Sequence, residues 1–478
     1  MSIRRCLILG WMVAGLQVVS AAQNPAPQQD TPAQSSGGDS PRTAPAAPLS
    51  AIAGMQTEGG AEDTSSSLPQ IPALLGGAGV SAAFLSELER SNYLRGGVNV
   101  GAVYDSNPLL APSGAESNTN ESIFPNIKIE ESSSRMHWTL GYAGGLTVNQ
   151  KITSQNEGSQ SLNFDSQYRL SPHVNLRVAE SFSMTTGFFD AGNGPEVVAG
   201  SGGPNASLIT PLSTQRSSVT TVEMNYHFAL NDLIGASGSF YDLHFTNVPA
   251  GTATPLTDSE TASGSAFWLH RIVGSDWGGV SYLFDRITFN AGSGETRVHS
   301  FLAMDTLNIS KRLTLTGFIG PQYSENQGLV PPALQPTQSN DWSLAGGADG
   351  GWRNQRTSLS AGYSRMVSDG GGVLGSVRLQ TVHANFRRQL TPGWAAALTA
   401  SHGTNQSLIV PSATSATSVN LTSAGISLER NVGKSIGLRL GYTHDFQEQF
   451  GSPSETFNVS RNRFFVTLSY QWAKPLGM

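Results

Sequence analysis

His137-Trp138-Thr139-Leu140-Gly141-Tyr142-Ala143-Gly144-Gly145-Leu146-Thr147-Val148-Asn149 puts an apolar or small residue at every second position from Trp138 and a polar or small one between. Successive side chains of a strand point to opposite sides, so a period of two describes extended chain with one apolar and one wet face. The next stretch repeats the pattern: Leu162, Phe164, Tyr168 and Leu170 alternate with Asn163, Asp165, Gln167 and Arg169. No run after the first 22 residues approaches the ~20 apolar residues of a membrane-spanning helix. Only strands remain as a means of crossing a bilayer.

Outward from this stretch the same texture recurs. Eighteen alternating segments begin near residues 96, 121, 136, 160, 173, 217, 233, 259, 276, 295, 312, 339, 355, 374, 393, 417, 434 and 458. Eight connections are short and built from turn residues: Ser133-Ser134, Ser171-Pro172, Asn231-Asp232, Gly274-Ser275, Ser310-Lys311, Asn354, Thr391-Pro392 and Gly433. Nine mostly longer ones alternate with them, near 106–120, 151–159, 185–216, 247–258, 291–294, 324–338, 368–373, 405–416 and 450–457. Short turns at one end and long loops at the other are the pattern of bacterial outer-membrane barrels. The fold expected is all-β: a transmembrane antiparallel up-and-down β-barrel over 96–478, of 18 strands, with 16 as the alternative count. Both termini then lie on the periplasmic side.

Tryptophans mark the rim. Trp138, Trp277 and Trp394 begin strands just after a short turn, Trp268 and Trp352 end strands just before one, and Trp472 ends the last. Indole favours the membrane–water interface, so these six are expected to form a periplasmic aromatic girdle. Phe464, Val466, Leu468, Tyr470 and Trp472 share one face of the final strand. That strand resembles the C-terminal signal through which outer-membrane proteins reach the barrel-insertion machinery, although six residues, 473–478, follow its last aromatic.

The N-terminus reads as a secretory signal peptide over 1–22: Arg4 and Arg5, an apolar core from Leu7 to Val19, and Ser20-Ala21-Ala22 before a cut. Residues 23–95 are expected to be a disordered periplasmic linker rich in Pro, Gln, Ser and Ala, with a short amphipathic helix at 80–90 carrying Phe84, Leu85 and Leu88 on one side. The single cysteine, Cys6, falls in the signal peptide, so the mature chain has no disulfide and no thiolate ligand. Without Arg4 and Arg5 the 28 basic residues become 26 against 34 acidic ones, a net of −8. That balance argues against nucleic acid as a partner. No cofactor is implied.

As a whole, the mature chain resembles the outer-membrane β-barrel porins of Gram-negative bacteria. Its opening strand and the Tyr104-Asp105-Ser106-Asn107 stretch that follows resemble one group among them, some members of which are associated with exopolysaccharide systems. The resemblance implies an outer-membrane location and a channel for small solutes or for an exported polysaccharide. In residue terms, Asp105 and Asn107 suit a loop cap made by side-chain to backbone bonds.

Barrels of 16–18 strands enclose an aqueous lumen. The polar faces offer Asp165, Arg169, Arg177, Glu223, Arg365, Arg378, Glu429 and Arg439 as pore-lining candidates, of both signs. The connection at 185–216 is the third external loop; in general porins that loop folds into the pore, which makes Asp190 and Glu196 candidates for a constriction. Catalysis is not expected: the histidines are scattered, and the adjacent His444 and Asp445 point to opposite faces of a strand. The alternative is a non-conducting barrel that serves as adhesin, scaffold or assembly partner.

Overall fold

The computed structural model describes residues 92–185, 208–248, 256–273, 276–289, 294–330, 335–408, 418–433, 435–450 and 456–476. The expected signal peptide, most of the expected linker with the helix expected at 80–90, and both Asp190 and Glu196 lie outside them. Among the described residues are 18 strands: β1 (Tyr93–Asp105), β2 (Asn118–Ser132), β3 (Met136–Asn149), β4 (Glu157–Arg169), β5 (Val174–Thr185) and β6 (Thr214–Ala229). There follow β7 (Asp232–Thr246), β8 (Ser259–Val273), β9 (Asp276–Phe289), β10 (Gly294–Ser310), β11 (Leu313–Val330) and β12 (Gln335–Arg353). The last are β13 (Thr357–Gly370), β14 (Leu374–Thr391), β15 (Trp394–Ser407), β16 (Ser418–Val432), β17 (Ile436–Phe450) and β18 (Thr456–Pro475).

Each strand pairs antiparallel with its sequence neighbours, and β1 pairs with β18, so the sheet is a closed 18-stranded barrel with no open ends. Closure satisfies the backbone on both sides of nearly every strand, the condition for standing in lipid. Strand starts fall within four residues of the positions read from alternation. The turn end carries both termini of the sheet, at Tyr93 and Pro475; the loop end carries the other nine connections, most of them longer.

Register assigns the two faces, because residues directly opposite across a ladder share one side. The outer face is apolar: Leu146, Met224, Val280, Ile319, Val382, Ile426, Val466 and Leu468 are all exposed there. Trp342 and Trp352 stand on this face of one strand, β12, ten residues apart. At ~3.3 Å per residue that separation is about 33 Å along the strand. A tilt of ~45° reduces it to about 23 Å, close to the ~25 Å apolar band of membrane barrels. Aromatic pairs on the outer face toward the loop end, Tyr323–Trp342 at 4.9 Å and Tyr282–Phe301 at 4.9 Å, mark its upper edge.

The inner face differs from one side of the barrel to the other. From β14 round to β6 it is largely polar and charged, with a small apolar cluster, Val103, Phe124 and Phe465, beside the β1–β18 seam. On β7 to β11 it is apolar toward the turn end, where Leu233, Phe267, Leu269, Trp277 and Met304 form one buried cluster flanked by Phe318. The segments Leu233-Ile234 and Phe267-Trp268-Leu269 are apolar on both faces for this reason: one face meets the exterior and the other the packed interior.

Candidate functional site

The lumen is crossed near the loop end by the tip of the β13–β14 hairpin. β12 and β13 are laddered only from Gly346↔Arg365 to Arg353↔Ser358, eight pairs, although β12 has 19 residues. β13 and β14 stay paired with each other beyond that point, to Gly370↔Leu374, so the two leave the wall together. All residues from Met366 to Gly370 are buried, an arrangement seen at no other strand end among those described.

The contacts of the hairpin trace its path inward. The Val367 N–H donates to Gln322 Oε1 of β11 at 3.1 Å. Met366 packs on Leu283 of β9, with Phe318 alongside. Ser376 Oγ donates to Thr296 Oγ1 of β10 at 2.5 Å, and Ser259 Oγ of β8 donates to Asp369 Oδ2 at 3.4 Å. At the tip, the Gly372 carbonyl accepts from the Thr257 N–H at 2.7 Å. Gly372 has φ +82°, and a Cβ there would overlap the Phe245 ring of β7, so glycine meets both a backbone and a packing need. The tip therefore touches strands five or six places round the wall from its own.

A second segment meets it from the other side. Leu208, in the connection between β5 and β6, packs with Leu374, Val377 and Leu379 of β14 and Val419 of β16. The Ile209 N–H donates to Gln447 Oε1 of β17 at 3.0 Å, and the Leu212 N–H to the Pro108 carbonyl at 2.9 Å. The third loop thus reaches inward through residues 208–213 and meets the β13–β14 hairpin there. The sequence signal for the tip was a run of apolar pairs on consecutive residues, Met366-Val367 and Val373-Leu374, around Gly370-Gly371-Gly372. Apolar residues on both faces leave no wet side, which describes a segment buried all round.

Six of the eight pore-lining candidates share the inner parity. Arg177 of β5 forms an ion pair with Asp165 of β4 at 2.5 Å, and Glu223 of β6 is opposite Arg177 in register. Arg169 stands on the same face at the turn end of β4. Glu429 of β16 lies between Arg387 of β14 at 2.8 Å and Arg439 of β17 at 3.6 Å; Arg387 had not been singled out. Arg378 lies on the hairpin and forms an ion pair with Asp341 of β12. Arg365 is a correction. It has the parity of the exposed Leu359 and Tyr363, on the outer face, and is the last β13 residue laddered to β12. Counting alternation through the strand end misplaced it, because apolar residues there occupy both parities.

The girdle also needs one correction. Trp268, Trp352 and Trp472 are exposed on the outer face at the turn end, and Trp138 and Trp394 share its parity. Trp277 is at the same level but 3% exposed, turned inward into the apolar cluster with Leu269 and Met304. Position along a strand sets depth; parity sets side, and Trp277 has the inner one.

Asp105 and Asn107 hold the closing seam. Asp105 Oδ2 accepts from Arg461 Nε of β18 at 2.8 Å and Oδ1 from the Asn107 N–H at 3.0 Å. Asn107 Nδ2 donates to the carbonyls of Ala111 and Ser460, at 2.9 and 3.3 Å, while its Oδ1 accepts from the Ala111 N–H at 2.9 Å. His444 and Asp445 are separated by the sheet: His444 Nδ1 meets Asn462 at 2.9 Å, whereas Asp445 is buried against Ser423 and Arg463. No cluster of metal-ligating side chains occurs among the described residues.

No family model matches this chain, and no curated protein does. Solved structures of similar architecture include OccAB3 of Acinetobacter baumannii, 8% identical, covering 80% of this chain and 99% of its own, with a TM-score of 0.41. The outer-membrane protein OpdK of Pseudomonas aeruginosa is 9% identical over 80% of this chain and 99% of its own, with a TM-score of 0.40. OccK9 (OpdG) of the same organism is 11% identical over 80% and 99%, with a TM-score of 0.44. No residue role is carried over from them.

Proposed function

We propose that this chain is an outer-membrane channel through which small solutes pass by diffusion, with its turn end in the periplasm. The observation that carries the reading is the contrast of faces. Outside is an apolar belt of bilayer height edged by aromatics; inside, from β14 to β6, is a wall of ion-paired Arg, Asp and Glu. Such a wall is useful only to water and what water carries. Both signs occur at close range, so the wall offers a solute paired donors and acceptors rather than a single charge.

The β13–β14 tip and residues 208–213 favour small solutes over an exported polysaccharide, since a polymer chain would have to displace both. Outer-membrane lipid is the partner of the belt. The aromatic face of β18, from Phe464 to Trp472, is the element offered to the insertion machinery. The second reading, a non-conducting adhesin or scaffold, is favoured by one feature: on β8 to β10 the inner face is buried along the strands, from Trp277 and Ser281 to Thr296 and Ser300.

Purified full-length protein added to a planar bilayer separates the two. Stepwise conductance is expected, increasing when residues 367–376 are replaced by a short turn. A bilayer that stays sealed over repeated insertions of heat-modifiable, folded protein would establish the second reading.

A further inference from the structure

The turn end of the barrel is basic on one side. Four successive turns between β10 and β17, taken with the strand ends beside them (308–315, 351–359, 387–396 and 430–438), contain no Asp or Glu. Among their described residues Lys311, Arg312, Arg353, Arg356, Arg388 and Arg430 are exposed. Backbone bonds join these turns into one surface. The Arg353 N–H donates to the Arg312 carbonyl at 2.8 Å, the Gln389 N–H to the Arg356 carbonyl at 2.7 Å and the Asn431 N–H to the Gly393 carbonyl at 2.9 Å. Arg430 is held over the Trp394 ring at 5.1 Å. The acids of the rim lie elsewhere: Glu130, Glu131, Asp232 and Asp276 belong to other turns.

A surface of one sign concentrates ligands of the other. Glu429, the acid next to Arg430, is already engaged by Arg387 and Arg439. Lipid headgroups would suit only part of the arc. Arg388 and Arg430 have the outer parity, but Arg353 has the inner one, opposite to that of the exposed Trp352. The arc therefore turns from the lipid side toward the opening of the barrel, where a lipid does not follow.

An acidic stretch of the same chain enters beside this arc. Asn92 is at the turn end, where its carbonyl accepts from the Leu476 N–H at 2.7 Å. Residues 58–89 before it carry Glu58, Glu62, Asp63, Glu87 and Glu89 and no basic residue. Strands ~4.8 Å apart and tilted ~45° each occupy about 7 Å of the rim. Counted round the wall, the turn of Arg430 is then about 17 Å from β1 and that of Arg312 about 60 Å. At ~3.4 Å per residue, Glu87 reaches about 17 Å from Asn92 and Asp63 about 100 Å. We infer that residues 58–89 of this chain dock on the arc and cover part of the turn-end opening. Glu87 and Glu89 meet its near end at Arg430, and the Glu58–Asp63 group meets Arg312 and Arg356 farther round. Attachment gives such a ligand an effective concentration on the order of millimolar, which a free polyanion lacks. The inference holds whether or not the barrel conducts.

The test uses the full chain, folded in a zwitterionic detergent, with Cys6→Ser removing the one native thiol. Nitroxide labels are placed at Ala61→Cys, beside Glu62, and at Gln355→Cys, between Arg353 and Arg356. Pulsed electron resonance then reads the distance between them. A narrow short-distance peak is expected at low salt, giving way to a broad, longer distribution in 1 M salt, where the screening length is ~3 Å. Arg312→Glu with Arg356→Glu should abolish the peak, and Glu58→Lys, Glu62→Lys and Asp63→Lys added to that chain should restore it. If the reversal impairs folding, as gel migration would show, Glu58→Gln, Glu62→Gln and Asp63→Asn in the parent carry the test, and loss of the peak is expected. A distribution that is broad at low salt, a peak that survives reversal or neutralisation, or a folded charge-swapped chain without the peak overturns the docking. So does a peak that persists in nanodiscs of phosphatidylcholine but vanishes when phosphatidylglycerol is included, which would assign the arc to anionic headgroups.

Discussion

Two seams of this barrel invite comparison. β1 and β18 come from opposite ends of the described chain, with Asp105 and Arg461 separated by 356 residues, yet all 13 residues of β1 are laddered to β18. β12 and β13 are joined by a turn of three residues, 354–356, and have eight pairs. Sequence proximity therefore does not set the length of a ladder; side chains at the loop end do. At the closing seam Arg461, Asp105, Asn107 and Ser106 tie the two strands together in polar contacts, while the Trp472 ring lies over Gly96 on the outside, so closely that no Cβ would fit. At the other seam Met366, Val367 and Leu374 find apolar and amide partners across the lumen, and the wall loses two strand tops to them.

Breaking the closing seam should have the largest effect. Asp105→Ala leaves Arg461 buried without its carboxylate, and removing one partner of a buried ion pair costs about 3–5 kcal/mol. The expected outcome is a marked fall in the temperature at which the folded, fast-migrating form is lost on a gel. Migration unchanged from the parent would mean that the ladder alone closes the barrel. The hairpin seam gives the complementary case. Gly372→Val imposes a side chain where φ is +82° and where the Phe245 ring already sits, and strain of this kind costs about 1–3 kcal/mol. Because the tip is outside the wall, that energy should displace the tip and not the barrel: single-channel conductance rises while gel migration holds.

The two seams were not equally legible in the sequence. Alternation and the turn census gave the strands and their order, since a two-residue period is imposed by the lipid outside and the water inside. The capping role of Asp105 and Asn107 could be read from their spacing, but their grip on β18 could not, because Arg461 and Ser460 are distant in the chain. The inward tip was missed, since 368–373 reads locally as a glycine-rich loop. Trp277 and Arg365 failed for a related reason: each adjoins a stretch where both faces are apolar, and alternation then carries no information about side.

Two smaller perturbations sharpen the comparison. Asn107→Ala removes the bonds to Ala111 and Ser460 while keeping the Asp105–Arg461 pair, and should cost about 1–2 kcal/mol. Its effect on unfolding temperature should have the same sign as that of Asp105→Ala and be visibly smaller; equality would assign the clamp to the loop and not to the ion pair. Glu429→Gln is the mildest. It removes the carboxylate between Arg387 and Arg439 on the inner wall, where these side chains are 17–24% exposed, so the cost to stability should stay near ~1 kcal/mol. Permeation is where it should register, because the inner wall beside Arg387 and Arg439 then carries one negative charge fewer. Reversal potentials in a salt gradient should shift toward anion preference, and more at low salt, where screening extends over a longer distance. A shift of that sign would place the conducting path along the charged arc between β14 and β6, beside the closing seam and away from the packed wall of β8 to β10. No shift would place the path, if current flows at all, on the hairpin side.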